Sequence, residues 1–201
     1  MLLSNLFGGS ERRRLGIKTM NISYQDIVDY WYSEQVKALW FNSNKAFDEE
    51  LKERFEAVYQ SAVNFELDHW KDEPQGALAL AILFDQIPLN IYRDQPESFA
   101  TEARAREVAA YAIDKGLDEK LTKEQKVFLY MPYMHSENLD DQETGIRLFE
   151  KAGLMENAKY AKHHRAIVEK FGRFPHRNKI LNRESSEVEL EYLASDEAFL
   201  G

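Results

Sequence analysis

The residues best equipped for chemistry in this 201-residue chain are its histidines and the charged groups around them. Three of the five histidines, His163, His164 and His176, fall with Arg173 and Arg177 in one run, HHRAIVEKFGRFPHRN (His163–Asn178). An imidazole titrates near neutral pH and can accept or give a proton, while a guanidinium fork matches a carboxylate or phosphate. A second constellation is DQIPLNIYR (Asp85–Arg93), in which Asp85 and Gln86 end the most apolar stretch of the chain. A third is His135-Ser136-Glu137. His135, Glu137 and His164 would supply the acid–base groups of a hydrolase or lyase. No nucleophile can be located beside them. Cysteine is absent, as are a Gly-rich phosphate loop, G-x-G-x-x-G, G-x-S-x-G and H-E-x-x-H. His-x-Glu spacing does not put both groups on one helix face, so neither a metal site nor a cofactor is expected.

Charge is strongly segregated. Lys159 to Arg183 holds eight basic residues against Glu169 alone, a net +7 that leaves −16 for the rest of a chain of net charge −9. Such a stripe has three readings: pairing with carboxylates and helix-end carbonyls, an anion site, or, more weakly, RNA binding with Phe171 and Phe174 stacking on bases. A carboxylate at the end of an apolar helix needs a basic partner, because an unpaired buried charge is costly. Arg173 or Arg177 is the expected partner of Asp85.

These groups must be positioned by helices, since strand signals hardly appear. Ser23 with Asp26, Thr122 with Gln125, and Ser186 with Glu189 have capping-box spacing. Asp48 suits the start of a helix carrying Leu51, Phe55, Val58, Ala62 and Phe65 on one face. Pro74 opens the apolar run Ala77–Phe84, expected to be the most buried helix, and Pro88 is expected to end it. Helices follow near Thr101–Lys115, from Thr122 to a kink or stop at Pro132, from Asp140 or Asp141 to Gly153, and over about Glu156–Phe171 before Gly172. In that last helix His164 shares an inward face with Val168 and Phe171. Pro175 then sets a tight extended loop. The aromatic group Tyr30, Trp31, Tyr32, Trp40, Phe41 and Trp70 is expected to pack the N-terminal helices.

Four segments taken together, LALAILFDQIPLNIYRD (Leu78–Asp94), LYMPYMHSENLDDQ (Leu129–Gln142), His163–Asn178 and NRESSEVELEYL (Asn182–Leu193), resemble the bacterial family catalogued as domain of unknown function 924. The resemblance covers roughly Ser23 to Leu193. Ile87 and Leu89 flank Pro88 where the family pattern has Phe and Arg. The resemblance implies a TPR-like helical fold and supplies no reaction, although no clean repeat of about 34 residues stands out.

Composition agrees with a globular protein: 44% hydrophobic, 30% charged and 12% aromatic residues. The acidic balance repels nucleic acid and anionic membrane, and no apolar run approaches the roughly 20 residues of a membrane span. Residues 1–19 are expected to be a disordered extension, with translation naturally beginning at Met20, and 20–201 a single all-α domain. Seven or eight helices should form a TPR-like antiparallel bundle or superhelix. The first functional expectation is a cytoplasmic, non-enzymatic protein that binds a partner peptide or small anionic ligand. Its site would join Asp85, Arg93, His135, Glu137, His164, Arg173, His176 and Arg177. The acid–base enzyme and the RNA-binding stripe remain the alternatives.

Overall fold

Helices begin where polar caps precede apolar periodicity. The computed structural model describes residues 22–201; the extension expected over 1–19 and the start at Met20 lie outside them. Among the described residues there are nine α-helices and no strand. They are α1 (Tyr24–Trp31), α2 (Glu34–Lys37), α3 (Lys45–Val63), α4 (Pro74–Ile91), α5 (Glu102–Asp114), α6 (Lys123–Met134), α7 (Leu139–Lys151), α8 (Met155–Phe171) and α9 (Glu187–Leu193). The all-α expectation is met; α2 is the addition, too short at four residues to show a period.

The three capping boxes form at Ser23, Thr122 and Ser186. Two other starts shift. Asn44, not Asp48, caps α3 by accepting from the Phe47 amide, and Asn138, not Asp140 or Asp141, caps α7 by accepting from the amides of both aspartates. In each case a side-chain amide oxygen takes up helix-terminal N–H groups that would otherwise lack a partner.

α4 is buried almost continuously from Gly76 to Pro88, as an all-apolar helix must be. It packs against α1, α3, α5 and α6, while α6, α7 and α8 stack in sequence. That stacking of sequential neighbours fits the TPR-like expectation. Gly76 permits the closest approach, because a Cβ there would lie 2.1 Å from the carbonyl oxygen of Trp70 in the 3-10 turn Asp68–Asp72.

Pro88 does not end α4. The helix runs on to Ile91, and the carbonyl that Pro88 cannot bond, that of Phe84, accepts instead from the Thr101 hydroxyl at 2.7 Å. Pro132 likewise sits inside α6, which continues to Met134. A residue far away in sequence, rather than the local proline rule, settles the first case.

Gly172 ends α8 at φ 72°, a left-handed conformation that costs glycine nothing. The chain after it is not the extended loop expected but one turn of 3-10 helix, Pro175–Arg177. Phe174, Ile167 and Val168 form a small apolar cluster beyond the main core, with Phe171, Tyr192 and Phe199 packed on it. That cluster holds α8, α9 and the segment after α9 together.

The N-terminal aromatics pack as expected: Trp31 and Trp70 are buried, and Trp40 stacks among Trp31, Tyr32 and Phe128. Phe41 departs from the group and is 76% exposed.

Candidate functional site

The last turns of α4 carry Asp85 into the interior, where its side chain is only 1% exposed. Its partner is neither Arg173 nor Arg177 but His135, the residue that closes α6. The His135 Nδ1 lies 2.8 Å from Asp85 Oδ1, so the Nδ1–H donates to the carboxylate. The Gln86 amide donates to the other carboxylate oxygen at 2.5 Å. Burial opposes a charged His135, but the charge and hydrogen bond of Asp85 outweigh it, Glu102 adds to them, and the imidazole pKa is raised. The His135 side chain keeps 16% of its surface exposed, and its Nε2 has no partner among the described residues.

Arg177 joins three elements. Its guanidinium meets Glu102, the first residue of α5, at 3.0 Å, and donates to the His135 carbonyl at 3.0 Å. The rings of Phe99 and Phe174 flank it at 4.6 and 4.7 Å. Burial pushes the Glu102 carboxyl up, and Arg177 opposes the rise. Arg177 is thus a buried brace whose Nε has no partner among the described residues.

Glu137 is a brace as well. It accepts from Arg183 at 2.7 and 2.9 Å and from the Phe174 amide at 2.8 Å. Burial would raise its pKa, but those donors outweigh burial and hold the carboxyl below its ordinary value. This fork leaves Glu137 poorly suited to exchange protons near neutral pH.

Two other imidazoles, those of His164 and His176, are held neutral. His164 is buried on the inward face of α8, with its Nδ1 2.8 Å from the Tyr160 carbonyl, and burial pushes its pKa down to about 4. Burial and the charge of Arg177 bring His176 to about 3. The His176 Nδ1 is buried with no partner among the described residues. Phe174 lies 5.6 Å from the His164 ring and 5.7 Å from that of His176, so one aromatic side chain links them.

Glu137, His164, His176 and Arg177 therefore surround Phe174 and the 3-10 turn, and His135, whose carbonyl accepts from Arg177, links Asp85 to that group. Arg173 lies beside them but faces α9, where it forks onto Glu189 at 2.7 and 2.8 Å and donates to the Glu184 carbonyl. Hydrogen bonds from Arg173 bring Glu189 down to about 2. Arg93 is not brought to the group; it pairs with Asp48 at the start of α3. Glu102 is a site residue that sequence reasoning missed, while Phe174 and Arg183, singled out there only as parts of the basic stripe, turn out to hold Glu137. An acidic first-turn residue such as Glu102 is too ordinary to signal a role.

The basic stripe is consumed internally. Lys159, Lys162, Arg165, Arg173, Arg177 and Arg183 each pair with a carboxylate, six of its eight cations. Lys170 lies over the rings of Phe171 and Tyr192.

The segment after α9 crosses the imidazoles. The Phe199 amide donates to the Tyr192 hydroxyl at 2.9 Å, and its ring sits 4.5 Å from His164, 5.1 Å from His176 and 6.3 Å from His163. An open groove of about 400 Å³ continues along α8, lined by Glu156, Lys159, Tyr160 and His163. Among the described residues no three His, Asp or Glu side chains are grouped to hold a metal ion, and no helix is long and apolar enough to cross a membrane.

A family model described as "Bacterial protein of unknown function (DUF924)" matches residues 27–197. The chain is also similar to a solved structure described as a protein of unknown function, ATU0120, from Agrobacterium tumefaciens. The two are 38% identical with a TM-score of 0.81, over 85% of this chain and 96% of that one. No curated protein matches.

Proposed function

The chain belongs to the bacterial DUF924 family, and we propose that it is a cytoplasmic, non-enzymatic protein that binds a partner peptide at the site around Asp85, His135, Glu137, His164, Arg173, His176 and Arg177. The observation that carries this reading is the Phe199 ring resting on neutral imidazoles, an instance of the kind of group this surface holds. A free small anion fits the same residues less well. The site's arginines are already forked onto Glu102, Glu189 and Glu137. Of these pairs, that of Arg177 with Glu102 is the buried one, and removing one partner of such a pair costs roughly 3–5 kcal/mol.

Titration of the full chain with a short peptide carrying one Phe tests this reading, with its Ala analogue and inorganic phosphate as comparisons. Imidazole NMR signals of His164 and His176 are followed throughout. Saturable shifts with the Phe peptide alone, little changed by added salt, are the expected result. Shifts produced by phosphate and suppressed by salt would return the site to an anion role.

One observation favours a second reading, the hydrolase or lyase. His135 is oriented by a buried carboxylate at Nδ1 and makes no hydrogen bond at Nε2 among the described residues, the arrangement of a general base. Of the acid–base groups considered, His135 is the one still suited to the task, because Glu137 is clamped by donors and His164, with a pKa of about 4, is a weak base. A hydrolytic or eliminating activity that survives His135→Gln unchanged would remove this reading.

A further inference from the structure

We infer that the segment Ala194–Gly201 is a built-in occupant of the peptide seat, so that the partner is an aromatic-bearing chain segment that must displace Phe199. The inference rests on the peptide-binding reading above and specifies its ligand and its regulation.

The segment is attached at few points. After α9 it makes turn bonds from the Ser195 amide to the Tyr192 carbonyl and from the Ala198 amide to the Ser195 carbonyl, and the Phe199 amide donates to the Tyr192 hydroxyl. Asp196 and Glu197 are exposed, and Leu200 is 69% exposed. Phe199 therefore supplies most of the segment's apolar anchorage, on the cluster of Ile167, Val168 and Phe174. A stretch with one apolar anchor and few backbone bonds belongs to the low-stability end of a fold.

The seat extends beyond Phe199, since the end of the same segment at Gly201 comes against the Cδ2 and Nε2 edge of the His176 ring. Room for the flanking residues of an incoming segment exists next door, because His163 both meets Phe199 and lines the groove along α8 with Tyr160. The ligand class is thus a peptide with its aromatic side chain over His164 and His176 and its neighbouring residues along α8.

Tethering sets the competition. A short flexible link gives its own segment an effective concentration on the order of millimolar. A free peptide of the same sequence then binds the intact chain weakly, because the competent, open state is a minor one.

The test uses the full chain and, as probe, a fluorescent heptapeptide of residues 195–201 (SDEAFLG). Binding is read by anisotropy, and imidazole exposure by the rate of diethyl pyrocarbonate modification at each histidine. Phe199→Ser should bind the probe at least about tenfold more tightly than the unaltered chain, with His164 and His176 modified faster and His69 unchanged. Phe199→Leu, which keeps an apolar anchor and so protects folding, should fall between them. Equal probe affinity in all three proteins would overturn the inference while leaving peptide binding intact. Faster modification in Phe199→Ser with no probe binding to any of the three would overturn the peptide reading itself, and this ligand with it.

Discussion

Asp85 and His135 meet at 2.8 Å where α4 ends its buried run and α6 closes, joining positions fifty residues apart in sequence. Because burial alone lowers the His135 pKa and Asp85 reverses the sign, Asp85→Asn should bring that imidazole below its ordinary value of about 6.5. An NMR titration of the His135 ring measures it. An unchanged pKa would mean that the Asp85 carboxylate does not govern His135.

The same pair has a pH signature. With a folded pKa raised above the unfolded one, His135 contributes stability that is complete below about pH 6.5 and is lost as pH rises through the folded value. In Asp85→Asn that alkaline loss should vanish from chemical-denaturation curves recorded across the range.

His164 and His176 act in the opposite direction. Their folded pKa values, about 4 and about 3, lie below the unfolded value, so the unfolded chain binds more protons as pH falls. Stability should therefore be full above about pH 6.5 and decline toward pH 4, with His164 alone accounting for on the order of 3 kcal/mol and His176 adding to it. After burial, His135, His163 and Arg177 lower the His164 pKa further; Arg177, His164 and His135 do so at His176, where Glu137 opposes them. The double variant His164→Gln with His176→Gln should flatten the acid limb. An acid limb of unchanged slope would assign the loss to the carboxylates Glu137 and Glu189.

Thr101 stands in for the hydrogen bond that Pro88 cannot make to the Phe84 carbonyl. Thr101→Val keeps the shape and removes the donor, leaving a buried acceptor without a partner, and should cost about 1–3 kcal/mol in urea unfolding. Adding Pro88→Ala in that background should recover most of the loss, because the substituted residue has a backbone N–H that can donate to the same carbonyl.

At Gly76 the close approach of the Trp70 carbonyl leaves no room for a methyl group. Gly76→Ala should destabilise by about 1–3 kcal/mol or more despite the better helix propensity of alanine, as the turn Asp68–Asp72 is forced off α4. A variant as stable as the parent would show that the turn moves without strain.

Local chemistry made much of this protein readable in advance. Capping boxes at Ser23, Thr122 and Ser186, the left-handed stop at Gly172, the burial of Ala77–Phe84 and the inward face of His164 all depend on neighbours within a few residues. Such contacts are written in spacing alone. The charge of Lys159–Arg183 was readable as a stripe of net +7, with pairing to carboxylates one of three readings it left open.

Only the tertiary structure decided which partners. Asp85 took His135 and left Arg177 to Glu102 and Arg173 to Glu189, because helix packing brings together groups many residues apart. The same long-range packing let Thr101 carry α4 past Pro88, sent Arg93 to Asp48, and laid Phe199 over His164 and His176. Periodicity and caps select a helix and its inward face. The pairing of buried charges depends on the distance and direction between helices, which no local pattern encodes.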